Sequence, residues 1–275
     1  MILLIQFASA SQPSDPLPVA IYYGYPSLVN GAKGDLDKAA HVFNAYRIAV
    51  LGDGLELANH PDHSNVQRLI PKLTNTRVFG YVCIGSTQKL PIEEVQNRVL
   101  AWKRTGAHGI FLDEAGKDFG VEHQRREQIV DFIHAQGLSA FINAFQADDI
   151  FAEGTHLGKD DLYLLESFVV RMGELDTSTL MSSRLQQALK YRDRYKVGLV
   201  GITTTTGLFS PTLYRESCDA AAKAPLDGFG WGEPWFSSQS NSLSNILLCL
   251  ETNPRLFKRK AYSLQPELPT VDGVR

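Results

Sequence analysis

Apolar runs of four to seven residues alternate along this chain with longer segments of helical periodicity. Eight such runs begin near residues 19, 47, 77, 109, 139, 162, 196 and 228. The spacing between them suits a strand, a helix and two short loops. Near-continuous apolar runs are typical of parallel strands that are covered on both faces. The alternation therefore predicts eight βα units and, as fold class, a single (β/α)8 barrel of the α/β class.

The helical segments between these runs are predicted at 36–42, 64–73, 91–105, 121–136, 179–194, 211–223 and around 241–250. In the third segment, Ile92, Val95 and Val99 recur at core-facing intervals, Pro91 suits a first turn, and Gly106 ends the helix. We expect the barrel to span 19–250, between an N-terminal tail (1–18) and an irregular C-terminal tail (251–275). An open doubly wound sheet is the alternative, but no glycine-rich nucleotide loop follows any strand.

Composition narrows the classes of partner. The 275 residues are 44% hydrophobic and 21% charged, with a net charge of -3, which gives no basic face for nucleic acid. No apolar run is long enough to span a membrane. The three cysteines, Cys83, Cys218 and Cys249, lie far apart, and we expect them to be buried free thiols.

The N-terminus is ambiguous. An apolar core at residues 2–7 precedes Ala-Ser-Ala, as in a signal peptide, but lacks a preceding Lys or Arg. Secretion and a cytoplasmic location are equally open on this pattern.

The most informative stretch is Gly-Ile-Phe-Leu-Asp-Glu-Ala-Gly at residues 109–116. An apolar strand runs directly into two acids, Asp113 and Glu114, at the strand end where barrel enzymes place catalytic groups. Because successive strand residues point to opposite sides, one acid is expected to face the pocket while the other supports it. The alternative is that one of them only caps the following helix.

In a barrel the other strand ends converge on the same face. The residues predicted there as substrate-binding groups are Tyr23, Tyr25, Asp53, Tyr81, Asn143, Thr203, Trp231 and Glu233. Aromatic faces stack on sugar rings, and carboxylates and amides bind hydroxyl groups, so the set indicates a carbohydrate ligand. Asp53, which lies between two glycines, is equally consistent with a turn residue.

Glycoside hydrolysis needs two carboxyl groups on either side of the scissile bond. We assign Asp113 as nucleophile or stabilising carboxylate and Glu166, which ends the sixth strand, as acid/base; the alternative for Glu166 is a salt bridge in the barrel wall. His60 and His63 lack the helix and glutamate of a metalloprotease motif, so neither a metal nor another cofactor is predicted.

Three stretches resemble the spherulation-specific (spherulin-like) glycosidases and the related polygalactosaminidase barrels: residues 79–82 (Phe-Gly-Tyr-Val), 102–106 (Trp-Lys-Arg-Thr-Gly) and 109–114. The opening Tyr-Tyr-Gly-Tyr-Pro at 22–26 and the strand ending in Glu166 fit the same pattern, so the likeness covers about 19–236. The resemblance implies a (β/α)8 barrel and endo-acting hydrolysis of α-1,4-linked galactosamine or N-acetylgalactosamine polymers. It places Asp113, Glu114 and Glu166 at the family's catalytic positions.

Two other functions remain open on the sequence. One is a non-catalytic carbohydrate-binding barrel, which would keep the aromatic groove without a close carboxyl pair. The other is a lyase or isomerase that uses Asp113 and Glu114 with an added metal. A polysaccharide or oligosaccharide is the predicted partner, and the sequence indicates no oligomeric state.

Overall fold

The computed structural model describes residues 16–52 and 54–244. Its barrel strands are β1 (Leu17–Tyr22), β2 (Ile48–Leu51), β3 (Arg77–Cys83), β4 (Gly109–Asp113), β5 (Ser139–Asn143), β6 (Leu162–Glu166), β7 (Gly198–Ile202) and β8 (Gly228–Gly230). Its α-helices are α1 (Leu36–Phe43), α2 (His63–Leu69), α3 (Ile92–Thr105), α4 (His123–Ala135), α5 (Ala147–Phe151), α6 (Thr179–Tyr195) and α7 (Pro211–Lys223).

The eight strands form one closed parallel barrel in chain order, with β8 pairing back onto β1. A helix follows each strand from β1 to β7, and the parallel ladder requires these crossovers. The predicted (β/α)8 fold is confirmed. Because all the strands are parallel, their carboxyl ends open on one face, which we call the barrel mouth.

Alternation along each strand separates two hydrophobic layers. Side chains that point inward fill the barrel, and Phe79, Phe111 and Phe141 pack edge to face at its centre, with ring centroids 5.5 and 5.1 Å apart. Side chains of the other parity pack outward against the helices. Continuing the inward parity past the apolar layer leads to Asp113 and Asn143, at the ends of their strands.

Gly80 shows how a helix is held against the barrel wall. A Cβ on Gly80 would lie 2.0 Å from the ring of Trp102, so only glycine lets the indole of α3 reach the strand. The Trp102 indole is fully buried, and its N–H donates to the Tyr81 carbonyl at 3.0 Å. This contact fixes α3 against the strand that carries Tyr81.

The predicted elements differ from the structure at their edges and in short insertions. Pro91 is the N-cap of α3 rather than a first-turn residue. Sequence periodicity missed α5 and a hairpin of two short strands, Val170–Arg171 and Glu174–Leu175, because each is too short to show a repeating pattern. The predicted last helix is wrong at residues 241–244, which are irregular, and the remainder of it lies outside the described residues.

The expectation for the thiols is corrected at one position. Cys83 is a buried free thiol, but Cys218 is disulfide-bonded. Cys249 lies outside the described residues. Within the described ranges, no helix is both long and apolar enough to cross a bilayer.

Candidate active site

Asp113 lies at the end of β4 and faces the barrel mouth. Its Oδ2 accepts a hydrogen bond from the Tyr81 hydroxyl at 2.7 Å, and its Oδ1 accepts one from the Asn143 amide nitrogen at 2.9 Å. Both donors come from the neighbouring strands β3 and β5. The sheet register therefore fixes the Asp113 carboxylate from two sides.

Asn143 also connects Asp113 to the second predicted catalytic acid. The same amide nitrogen donates to Oε2 of Glu166 at 2.7 Å, using its second hydrogen. Because the 2.9 and 2.7 Å bonds share one nitrogen, the two acceptor oxygens are at most about 5.6 Å apart. The structure thus brings Asp113 and Glu166 together across the mouth.

Burial is the main influence on both acids. It raises the pKa of Asp113, and the hydrogen bonds from Tyr81 and Asn143 partly oppose the rise. Burial likewise raises the pKa of Glu166; the negative charge of Asp113 raises it further, while the Asn143 bond and the charge of Arg184 lower it. Asp113 has two side-chain donors and Glu166 has one, while the negative charge of Glu114 adds to the rise in the pKa of Asp113.

Glu114 turns away from this pair. Its backbone has a φ of +55°, and its carboxylate accepts hydrogen bonds from the Thr87 N–H at 3.0 Å and from the Thr87 hydroxyl. A Cβ on Gly85 would lie 2.5 Å from the Glu114 Cβ, so glycine is needed for this approach. Glu114 ties the loop after β3 to the end of β4 rather than reaching Glu166.

Several strand ends at the mouth contain strained backbone. Left-handed φ values occur at non-glycine residues just after β4, β6 and β8: Glu114, Ser167, Trp235, Phe236 and Ser237. Each such residue costs about 1–3 kcal/mol, and such strain concentrates at functional sites. Its concentration here supports the mouth as the functional face.

The predicted tyrosines line one side of the mouth. Tyr23 packs edge to face on Tyr81, with ring centroids 5.3 Å apart, and also contacts Phe236 at 5.4 Å. Tyr25 is 40% exposed and packs against His60. Tyr23 and Tyr81 therefore belong to the wall beside Asp113, whereas the contacts of Tyr25 are with the loop that contains His60.

Three other predicted binding residues, Thr203, Trp231 and Glu233, make their contacts elsewhere. Thr203 is fully buried and its hydroxyl accepts from the Gly232 N–H at 2.9 Å, which joins the ends of β7 and β8. Trp231 packs in the outer layer against Tyr214, 5.2 Å between centroids. Glu233 accepts from the Ser244 N–H at 2.6 Å. Asp53 lies outside the described residues.

The one-residue alternation explains the placement of Trp231. Phe229 and Trp231 share the outward parity of β8, so the tryptophan lies outside the barrel wall although it follows a strand. Trp235, which we did not predict as a site residue, is instead 49% exposed in the turn after β8. The sequence feature that could have identified Trp235 is an aromatic residue that follows Pro234 shortly after a strand end.

Arg184 is the other residue missed. It lies on α6, and its guanidinium donates to the carbonyl oxygens of Phe145 and Glu166, each at 3.0 Å. An arginine inside an amphipathic helix gives no sequence signal that distinguishes it from a solvent-exposed one. Only the packing of α6 against the ends of β5 and β6 shows its role.

A groove on the flank of the barrel is separate from the predicted site. A groove of about 310 Å³ on the flank between α2 and α3 is lined by Glu56, His63 and Arg98, among others, and by none of the predicted site residues. The described residues contain no group of three or more His, Cys, Asp or Glu side chains arranged to hold a metal ion.

Comparison with known proteins supports the fold alone. No family model matches the chain, and no curated protein matches its sequence. Among solved structures, a variant of the glycoside hydrolase domain of PelA from Pseudomonas aeruginosa is 15% identical, with a TM-score of 0.51 over 78% of this chain and 94% of that one. The carboxyl transferase domain of Rhizobium etli pyruvate carboxylase, a variant with pyruvate, is 10% identical with a TM-score of 0.54, covering 91% of this chain and 47% of that one.

These two structural neighbours have different activities, so their likeness does not choose a reaction. The spherulin-like resemblance is not confirmed by any family or sequence match. The chain has a closed (β/α)8 barrel, and its fold is similar to those of a glycoside hydrolase domain and a carboxyl transferase domain.

Proposed function

We propose that this protein is a glycoside hydrolase in which Asp113 and Glu166 act as the two catalytic carboxyl groups. The observation that carries the proposal is the Asn143 amide, which bonds both acids and brings their nearest oxygens within about 5.6 Å. Retaining glycosidases hold their carboxyl groups about 5–5.5 Å apart, and inverting ones about 6.5–9.5 Å. The geometry favours the retaining reaction.

The hydrogen bonds support the division of roles that we propose. Asp113, with donors from Tyr81 and Asn143, is the carboxylate that ionises first and attacks the anomeric carbon. Glu166 retains its proton and donates it to the leaving glycosidic oxygen, which leaves a glycosyl ester on Asp113. Ionised Glu166 then takes a proton from water, the water oxygen attacks the anomeric carbon, and the ester bond to Asp113 breaks.

The substrate is proposed from the mouth's chemistry together with the family resemblance. Exposed Trp235 and the Tyr23 wall offer aromatic faces for sugar rings. The resemblance adds the polymer class, α-1,4-linked galactosamine in acetylated or free form. We therefore propose endo-acting cleavage of such a polysaccharide.

The test is release of reducing ends from a panel of polymers, including α-1,4-galactosaminan before and after deacetylation. The wild type is compared with Asp113→Asn and Glu166→Gln, and Glu153→Gln, an exposed acid paired with Lys117, is the matched control. The proposal expects release by the wild type and by the control, and a loss of 100-fold or more in both site variants. Equal release by all four proteins would refute the assignment. Binding of a polymer without release by any of them would favour a carbohydrate-binding barrel.

A further inference from the structure

Arg184 has no part in the two chemical steps, yet its side chain is buried directly behind the catalytic pair. It is 5% exposed, although it lies on a helix at the outside of the barrel. Burial of an arginine is costly unless its donors are used. Two of them are used on backbone oxygens, Nε on Phe145 and Nη1 on Glu166, each at 3.0 Å.

These two oxygens need a donor from outside the sheet. Phe145 lies two residues beyond β5, and Glu166 is the last residue of β6. Ser167, which follows, has a φ of +59°, so the chain turns sharply away from the ladder at this point. A planar guanidinium can reach both carbonyls at once, which fixes the distance between the two strand ends.

Arg184 makes a third contact, with the ring of Phe145, and we call the three contacts together the Arg184 clamp. The Arg184 guanidinium carbon lies 4.0 Å from the centroid of that ring, within stacking distance. Arg184 is therefore fixed by a ring face and by two hydrogen bonds. The strand ends that it joins are those that carry Asn143 and Glu166.

We propose that Arg184 is a positioning residue, which locks the ends of β5 and β6 together and places its positive charge behind Glu166. The inference rests on the proposed function of Glu166 as the acid/base. Two consequences follow: the Glu166 carboxyl is fixed relative to Asn143, and its ionised form is stabilised by a nearby cation.

Three side chains, each from a different element, act on the pKa of Glu166. Asp113 on β4 is negative and raises the pKa of Glu166, Asn143 on β5 is neutral and donates a hydrogen bond, and Arg184 on α6 is positive and lowers that pKa. Arg184 itself also faces Arg171 and Asp176 from the hairpin side, whose charges are opposite to each other. Removing Arg184 therefore removes the cation that acts on Glu166 within the described part of the chain.

The test compares Arg184→Met and Arg184→Lys, with Arg192→Met as control. Arg192 is on the same helix, but its guanidinium contacts Asp193 and the Pro225 carbonyl. The pKa of Glu166 is measured by carboxyl carbon NMR on protein labelled in glutamate, with Glu166→Gln to identify the signal. This titration needs no substrate, so failure of the wild type to cleave any polymer would count against the proposed function and not against the clamp.

We expect Arg184→Met to raise the pKa of Glu166, because the stabilising cation is gone. Arg184→Lys keeps the charge and the pKa, but a single ammonium does not span both carbonyls, so its rate of hydrolysis falls at least about tenfold. Arg192→Met changes neither. An unchanged pKa in Arg184→Met, or a full rate in Arg184→Lys, would overturn the proposal. If the methionine variant does not fold, the lysine variant decides.

Discussion

Glu166→Gln should make the protein more stable at neutral pH while abolishing hydrolysis. In the wild type, two carboxyl groups share a partly buried site with oxygens held within about 5.6 Å by one amide. Replacing one acid by its amide removes the repulsion and retains an oxygen that accepts from Asn143. Such a gain on loss of a catalytic group is the expected sign of a site selected for chemistry rather than for stability.

The size of the gain follows from the distance. Where both acids are ionised, above the folded pKa of Glu166, two unit charges 5.6 Å apart repel by about 3 kcal/mol at an effective dielectric of 20. The variant weakens the Asn143 bond, because a charge-assisted bond contributes about 1.5–3 kcal/mol and a neutral one about 0.5–1.5. The difference leaves a net stabilisation of about 1–2 kcal/mol where both acids would be ionised in the wild type.

The sign of the pH dependence is fixed by the direction of the shift. The pKa of Glu166 is raised in the folded protein, so above its unfolded value the folded state binds more protons than the unfolded state. The wild type therefore loses stability as pH rises from the unfolded pKa through the folded one. The advantage of Glu166→Gln is absent below that window and complete above it.

Urea unfolding at a series of pH values between 4 and 8 measures this difference. Glu153→Gln is the opposite control, because pairing with Lys117 lowers the pKa of Glu153. That variant is expected to lose a small amount of stability at neutral pH and none at acidic pH. A Glu166→Gln variant that is less stable than the wild type at pH 7, or equally shifted at every pH, would refute the reasoning.

Three further predictions concern the site and its support. Asn143→Ala removes the donor that both acids share, so the pKa of both acids should rise and the acidic limb of the pH–rate profile should move to higher pH. Asn44→Ala is the control and should leave the profile unchanged, because the Asn44 amide donates to the backbone carbonyl of Lys72. Trp235→Ala should raise KM for polymers several-fold with little change in kcat on short substrates, as expected for a remote stacking face. Gly80→Ala should lower stability by about 1–3 kcal/mol in thermal unfolding, because its Cβ overlaps the Trp102 ring.

The barrel was predictable because its signals are local and repeated. Apolar runs such as residues 109–112 and helices with a clear apolar stripe, such as α3, recur at spacings that fit only a few folds. The hairpin after β6 had no such repetition.

Within the site, prediction succeeded where strand parity decides the outcome. Asp113 and Asn143 share the inward parity of strands whose register is set by their apolar residues. Trp231 and Glu233 follow a strand of only three residues, after which the chain turns, so position after a strand did not imply position in the mouth. Arg184 depends on the docking of a helix onto two strand ends, which no local pattern encodes.

The most direct test of the carboxyl pair is the anomeric configuration of the first product. Proton NMR of a polymer during the first turnovers of the wild type, with Glu166→Gln alongside, shows both whether bonds break and with which configuration. The proposed geometry predicts a new anomeric signal with the configuration of the substrate bond, absent in the variant. A first product of opposite configuration, or equal cleavage by the variant, would contradict the roles assigned to Asp113 and Glu166.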